Sequence, residues 1–423
     1  MKSAKSAIEG AGAVFDRLVV ELIFDPDTST TKFAVADQGE VDIRDSVALP
    51  DGTHLNPIPA TNNLLRHGVV RLPTGIGDYE TLASLRADLA TFIDRYVTLP
   101  PRFLPIAVHY VLLSWVYDGF NELPYLRFFG DYGSGKTRAL NVIGSLLYKP
   151  LFASGATTIS PLFHTLDLFQ GSLVLDEADF RFSDERAEIA KILNNGNQRG
   201  FPVLRSVATP QKTYDPRAFH VFGPKLLAMR GHFSDLAIES RCLTARMDMV
   251  TEAGNNPVTL PPQFEGEAIT LRNQLLRFRF HTRPHLPLPS VPTSPLLSGR
   301  GNQMLGALLS LIDDDPVKAD IIAQLRDEEH ARGSARLEDS AALVLDALLA
   351  HIKDGAKQVP IAAIRTTLIA THGAEFERPP TARYVGSILR TRFGLCTFKS
   401  HGTYQVTLPT AEALDRLRGR FGG

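Results

Sequence analysis

One octapeptide restricts this chain more than any other feature. Gly130-Asp131-Tyr132-Gly133-Ser134-Gly135-Lys136-Thr137 fits G-x-x-x-x-G-K-[ST]. It lies after the apolar run Tyr125–Phe129 and before a helical pattern from about Thr137 to Leu147. The glycines let the backbone curl until its N–H groups point inward at phosphate oxygens. Lys136 is then set for the β and γ phosphates, and the Thr137 hydroxyl for Mg²⁺. The helix that starts here adds its positive end to the same anion.

Such a loop needs an acidic strand beside it. Leu173-Val174-Leu175-Asp176-Glu177 supplies one, with Asp176 39 residues after Thr137. Asp176, at the strand's carboxyl end, is the expected Mg²⁺ ligand. Glu177 is the expected general base for water. Ligands bind outside the carboxyl ends of parallel strands, so both motifs converge on one crevice. Asp179 is close by, either as a third acid or as a solvated cap. A further buried strand is Lys225–Met229. Strands alternating with helices predict an α/β fold, a parallel sheet with helices on both faces.

The chain has 423 residues, enough for about two to four domains. Arg17–Phe24 and Thr31–Val35 read as strands of an amino-terminal β-rich domain, residues 1–80, of unassigned role. Leu82, Leu85, Leu89, Phe92 and Ile93 then recur at helical spacing. Phe103–Phe120 is a second helix in a domain covering residues 81–335. Pro284–Pro295 holds five prolines and reads as a semi-rigid linker, and a helical stretch runs from Gln303 to about Arg332. Residues 336–423 form a third unit. From Ser340 onward there are eleven Lys/Arg against six Asp/Glu, an excess of five in a chain whose net charge is −1. That basic end points to phosphate binding.

Other chemistry finds little support. Cys242 and Cys396 are far apart and read as reduced thiols. His281 and His285 are split by Pro284, which breaks the helix needed to put both on one face. No primase, nuclease or polymerase constellation is present. No apolar run approaches the roughly 20 residues of a membrane span, and no signal peptide is evident. The expectation is a cytoplasmic protein.

The loop and the Asp176–Glu177 pair, together with the segments downstream of them, resemble the AAA+ ATPases. They are most similar to the branch that powers replicative helicases of plasmids, phages and related mobile elements, including superfamily 3 and minichromosome-maintenance-like helicases. The resemblance covers about residues 85 to 335 and, more loosely, the tail. It implies ATP and Mg²⁺ as cofactors, DNA as partner, and a homo-oligomer, a hexameric ring. It implies that Arg230, ending the strand Lys225–Met229 where Asn or Thr is usual, senses the γ-phosphate; the alternative is a surface arginine. It implies an arginine finger at Arg241, with Arg246 as fallback; the alternative is an exposed pair with Glu239. Arg300, with Gln303 close behind, resembles the lid arginine that contacts nucleotide in its own subunit. Residues 203–219 read as a hairpin around Pro210-Gln211-Lys212. In helicases of this class it grips nucleic acid in a channel, here through Arg205 and Lys212; a hairpin that only decorates the rim is the alternative.

Ala341–Ile352, Ile361–Ala370 and Thr381–Thr391 read as three helices. Leu395–Phe398 and Tyr404–Thr407 then form a hairpin. This is a winged-helix pattern, which places its third helix in the major groove. Arg383, Arg390, Arg392, Lys399 and His401 are the expected DNA contacts; protein docking is the alternative. Three functions are compatible with these residues: an ATP-driven DNA motor, a DNA-binding switch ATPase that does not unwind, and a signalling ATPase with a docking tail.

Overall fold

Period-two alternation shapes the amino-terminal strands, as seen in the computed structural model. It describes all residues except 1–6, 179–182, 209–213, 232, 234, 248–255, 288–290, 338–339, 353–356, 374–375, 377–378, 401 and 422–423. The chain divides into two compact units, Met1–Leu325 and Arg326–Gly423. In the first, β1 (Ala7–Gly10), β2 (Gly12–Phe15), β3 (Leu18–Asp25), β4 (Thr30–Asp37), β5 (Glu40–Arg44), β6 (Val47–Ala48) and β7 (His54–Pro57) make two small sheets. β2 to β5 run antiparallel in sequence order, and β7 lies between β1 and β6. Both faces of β3 and β4 are buried. Val20, Leu22, Phe33 and Val35 enter one apolar cluster, and Val19, Ile23, Ala34 and Ala36 enter another. Both clusters continue into the rest of this unit, so the strands share its core. Buried Glu21 reinforces the join, accepting from Arg279 Nε at 2.6 Å and pairing with Lys149 at 2.8 Å.

Beyond the single turn α1 (Asn63–Arg66), α2 (Leu82–Tyr96) opens on a capping box between Thr81 and Ser84. Pro100-Pro101 separates it from α3 (Phe103–Val116), which is buried along most of its length. The chain continues through β8 (Tyr125–Phe129), α4 (Lys136–Gly144), β9 (Leu151–Ser154), α5 (Ile159–Phe169), β10 (Leu173–Asp176), α6 (Ser183–Asn195), β11 (Val203–Ala208), β12 (Tyr214–Phe219), β13 (Lys225–Met229), α7 (Leu236–Glu239) and β14 (Cys242–Arg246). Five of these strands form one parallel sheet in the order β14-β8-β13-β10-β9. Leu126, Phe128, Leu226, Ala228 and Leu243 pack toward α2, α3 and α4. Tyr125, Leu173, Leu175, Leu227 and Cys242 pack toward α5 and α6. Burial on both faces is why these strands read as continuous apolar runs. β11 and β12 form an antiparallel hairpin.

α8 (Gln263–Thr282) lies against α2 and α3, and α9 (Gly299–Leu309) against α3. The segment read as a linker is bound back onto α9: Asn302 accepts from Ser294 N at 2.6 Å and donates to Ser294 O at 2.9 Å. The single helical stretch expected from Gln303 is two helices, α9 and α10 (Asp315–Leu337). Asp314 accepts from Val317 N at 3.2 Å, and Pro316 sits in the new first turn. Among the described residues no helix is long and apolar enough to cross a membrane.

The second unit contains α11 (Ser340–Leu349), β15 (Gln358–Pro360), α12 (Ile361–His372), α13 (Ala382–Thr391), β16 (Thr397–Ser400), β17 (Thr403–Thr407) and α14 (Ala411–Phe421). Its sheet is antiparallel in the order β15-β17-β16. Val344, Leu348, Ile364, Leu368, Val385, Leu389 and Val406 fill its core.

Candidate functional site

The phosphate-type loop leaves the carboxyl end of β8 and enters α4. Its glycines meet different demands. A Cβ at Gly130 would lie 2.2 Å from Met247 O, so no side chain fits there. Gly133 and Gly135 have φ of 78° and 85°, the left-handed region that glycine enters without strain. Ser134 is buried, whereas Asp131 and Tyr132 are exposed, Tyr132 at 87%. Lys136 Nζ donates to Asp131 O at 2.5 Å and to Ser134 Oγ at 3.3 Å, so the ammonium folds back over the loop.

β10 delivers the acids to the same carboxyl edge. Thr137 Oγ1 donates to Asp176 Oδ2 at 2.8 Å, joining loop and acid strand across the intervening β13. Asp176 Oδ1 accepts from Glu177 N at 2.9 Å. Glu177 has φ of 53°, a left-handed conformation that is strained for a residue with a side chain. Ala178 N then donates to Ala228 O at 2.9 Å and fixes the chain beyond the turn. Glu177 itself is exposed, and Gly155, after β9, lies against it. Asp179 lies outside the described residues.

The arginines fall at different places. Arg230 is exposed just past β13, at the same edge as Thr137 and Asp176. Arg246 ends β14 opposite Phe129, and its guanidinium lies 5.8 Å from that ring. Arg241 is at the other end of the sheet, where Tyr125 N donates to its carbonyl at 2.8 Å. Glu239 is not its partner. That carboxylate is buried and takes both Nη atoms of Arg127, at 2.5 and 2.8 Å. Arg241 instead donates to Asn194 Oδ1. Arg300 donates to Ala237 O at 3.0 Å, on α7, and Gln303 is exposed one turn further on.

Each described arginine of the hairpin pairs with an acid of the body, Arg205 partly buried and Arg217 exposed. Val203 is buried and Leu204 is 70% exposed, so strand alternation sends Arg205 back to the body. There it pairs with Glu188 at 3.5 Å and lies 4.6 Å from the Phe163 ring. Its cross-strand partner Arg217 pairs with Asp167 at 3.2 Å. Lys212 lies outside the described residues. In the second unit, Arg383, Arg390, Arg392 and Lys399 are exposed, and Arg390 Nη1 donates to Thr397 Oγ1 at 3.0 Å, joining α13 to β16. His401 lies outside the described residues.

Sequence reasoning assigned no role to Asn194 or Asp235. Asn194 Nδ2 donates to Asp235 Oδ2 at 2.7 Å, and this bond is the first cause holding the Asp235 carboxyl below its ordinary range. Local pattern could not have found the pair, because 41 residues separate its members.

No family model matches the sequence, and no curated protein matches it. Solved structures similar to this chain include an apo form of the C-terminal region of NrS-1, at TM-score 0.40 and 9% identity, covering 92% of this chain and 96% of that chain. Another is a full-length MCM homolog from Methanopyrus kandleri, at TM-score 0.36 and 14% identity, covering 70% of this chain and 72% of that one. A third is the Aeropyrum pernix ORC1 protein in complex with DNA, at TM-score 0.23 and 15% identity, covering 79% and 97%. At scores and identities this low, the likeness sets neither family nor function.

Proposed function

We propose that the chain is an ATP-hydrolysing motor that acts on DNA. In this reading it adopts the AAA+ plan of mobile-element replicative helicases and works as a ring of identical subunits. One observation carries the proposal: the 2.8 Å hydrogen bond from Thr137 to Asp176, which brings a glycine-lined loop and an acid-ending strand to one edge of a parallel sheet. The loop suits a triphosphate. It has no room for a side chain at Gly130, two glycines in the left-handed region, and a lysine resting on a carbonyl that a phosphate oxygen would replace. Thr137 and Asp176 would hold a magnesium ion, which supplies neutralisation of the charge on the phosphate oxygens. Exposed Glu177 orients the attacking water and accepts its proton. Arg230 contacts the γ-phosphate of its own subunit, and Arg241 that of a neighbour.

Residues 336–423 are proposed as a winged helix, with α13 as its groove-facing helix. Exposed Arg383, Arg390 and Lys399 support contact with backbone phosphates. A second reading is a DNA-binding switch ATPase that does not unwind. It is favoured by the hairpin, where Arg205 and Arg217 are turned onto acids of the body.

The test is DNA-stimulated ATP hydrolysis by wild type and Arg241→Ala, together with strand displacement. The motor predicts hydrolysis coupled to displacement, and loss of roughly 10³-fold in turnover with nucleotide binding intact in the variant. Hydrolysis without displacement selects the switch. Affinity for DNA that does not fall with added salt would remove the nucleic-acid reading altogether.

A further inference from the structure

The short turn that carries Arg241 is tied down at both ends by buried or half-buried polar groups. At one end, Glu239, 5% exposed, accepts from Arg127 Nη1 and Nη2 and from Phe233 N at 2.6 Å. Arg127 lies in β8, the strand that runs straight into the phosphate-type loop, and it also donates to Thr244 Oγ1 of β14 at 3.0 Å. At the other end, Asp235 caps α7, accepting from Ala237 N at 2.8 Å through its side chain and from Ile238 N at 3.0 Å through its carbonyl. Asn194, near the end of α6, bridges the two parts. Its amide nitrogen donates to Asp235, and its amide oxygen accepts from Arg241 Nη1.

Arg241 itself is under-satisfied. A guanidinium offers five N–H donors. Among the described residues Nε is buried without an acceptor. A long arginine side chain loses rotamer entropy when it is fixed, so one that must reach a distant anion gains by being aimed beforehand. The amide oxygen of Asn194 does this by fixing one side of the fork. The Arg127–Glu239 pair fixes the backbone that bears it.

We propose that Asn194 and Glu239 are positioning residues for a trans-acting Arg241: Asn194 aims its guanidinium, and Glu239 locks α7 to the strand leading into the subunit's own phosphate loop. This rests on the reading of Arg241 as a finger. It adds that the finger offered to a neighbour is anchored to the donor's own nucleotide strand.

The experiment uses the full chain with DNA and ATP. Asn194→Ala is expected to lower kcat about 10- to 100-fold, the scale of a misplaced catalytic group. KM for ATP and the affinity for a fluorescent ATP analogue should stay within about two-fold, since misplacing the finger removes an interaction made only in the transition state. The double variant Asn194→Ala/Arg241→Ala should turn over no more slowly than Arg241→Ala alone. Mixed with Lys136→Ala subunits, whose loop is dead but whose Arg241 and Asn194 are intact, Asn194→Ala subunits should recover turnover. A merely structural defect would not be rescued in that mixture. Glu239→Gln, which keeps the shape of the buried pair, should give the same rescue and covers the case in which Asn194→Ala melts early. Normal kcat in both Asn194→Ala and Glu239→Gln beside a dead Arg241→Ala overturns the inference and leaves the finger standing. A multiplicative loss in the double variant also overturns it. Normal turnover in Arg241→Ala removes the finger itself.

Discussion

The two ends of the same five strands are built from different materials. The carboxyl edge is made of backbone, glycine and exposed side chains: Gly130, Gly133, Gly135, Thr137 and Glu177. Apart from the Arg241 turn, the amino edge around Lys225 and Tyr125 is made of buried side chains whose polar atoms are satisfied internally. Lys225, fully buried at the start of β13, donates to Val221 O and Gly223 O, both at 2.8 Å. Tyr110 OH donates to Lys225 O at 2.8 Å, and Tyr125 OH to Leu193 O at 2.7 Å. An edge that admits a ligand holds its donors on partners that a ligand can displace, as Lys136 Nζ rests on Asp131 O. An edge that stays shut satisfies them internally.

That contrast breaks if substitutions at the first edge unfold the protein, or if substitutions at Lys225 or Tyr125, away from the Arg241 turn, stop turnover. Lys136→Ala should give the largest effect, hydrolysis below detection, while thermal melting monitored by circular dichroism shifts by only a few degrees. Glu177→Gln should keep nucleotide bound and lose about 10²- to 10⁴-fold in kcat, read by single-turnover kinetics. Lys225→Met should act on stability instead. Burial pushes the Lys225 ammonium down to about 7 from 10.5. Between these values the unfolded chain binds more protons than the folded one, so wild-type stability rises with pH across that window. The variant should lose that rise, a difference of several kcal/mol at full extent, measured by urea unfolding from pH 6 to 10. Tyr125→Phe should be smallest, costing about 1–2 kcal/mol through an orphaned carbonyl and leaving turnover unchanged. A Tyr125→Phe protein with normal stability but slowed hydrolysis would merge the two edges into one site.

Legibility divides along the same line. The loop, the Asp176–Glu177 pair and β8, β10 and β13 are local patterns, and each stands where its residues predict. β9 (Leu151–Ser154) and β14 (Cys242–Arg246) went unread: they are as short as β8, β10 and β13, but neither leads directly into a recognisable motif that would mark it. What partners an arginine was also out of reach. Arg127 and Glu239 are 112 residues apart, Asn194 and Arg241 47. Arg205 could have been placed from its neighbours, since alternation from buried Val203 turns it inward, but the face of the hairpin is known only once the body beneath it is known.

The bond between Glu21 and Arg279 spans 258 residues, and both faces of β3 and β4 depend on segments well downstream. The opening strands are therefore complete only after the ribosome has synthesised α8. Until then they present two unfinished apolar surfaces and a carboxylate awaiting its guanidinium. Native pairing across such distances is slow to form and exposed to aggregation in the meantime. Cutting β3 and β4 away would strip one wall from the unit that carries the nucleotide loop.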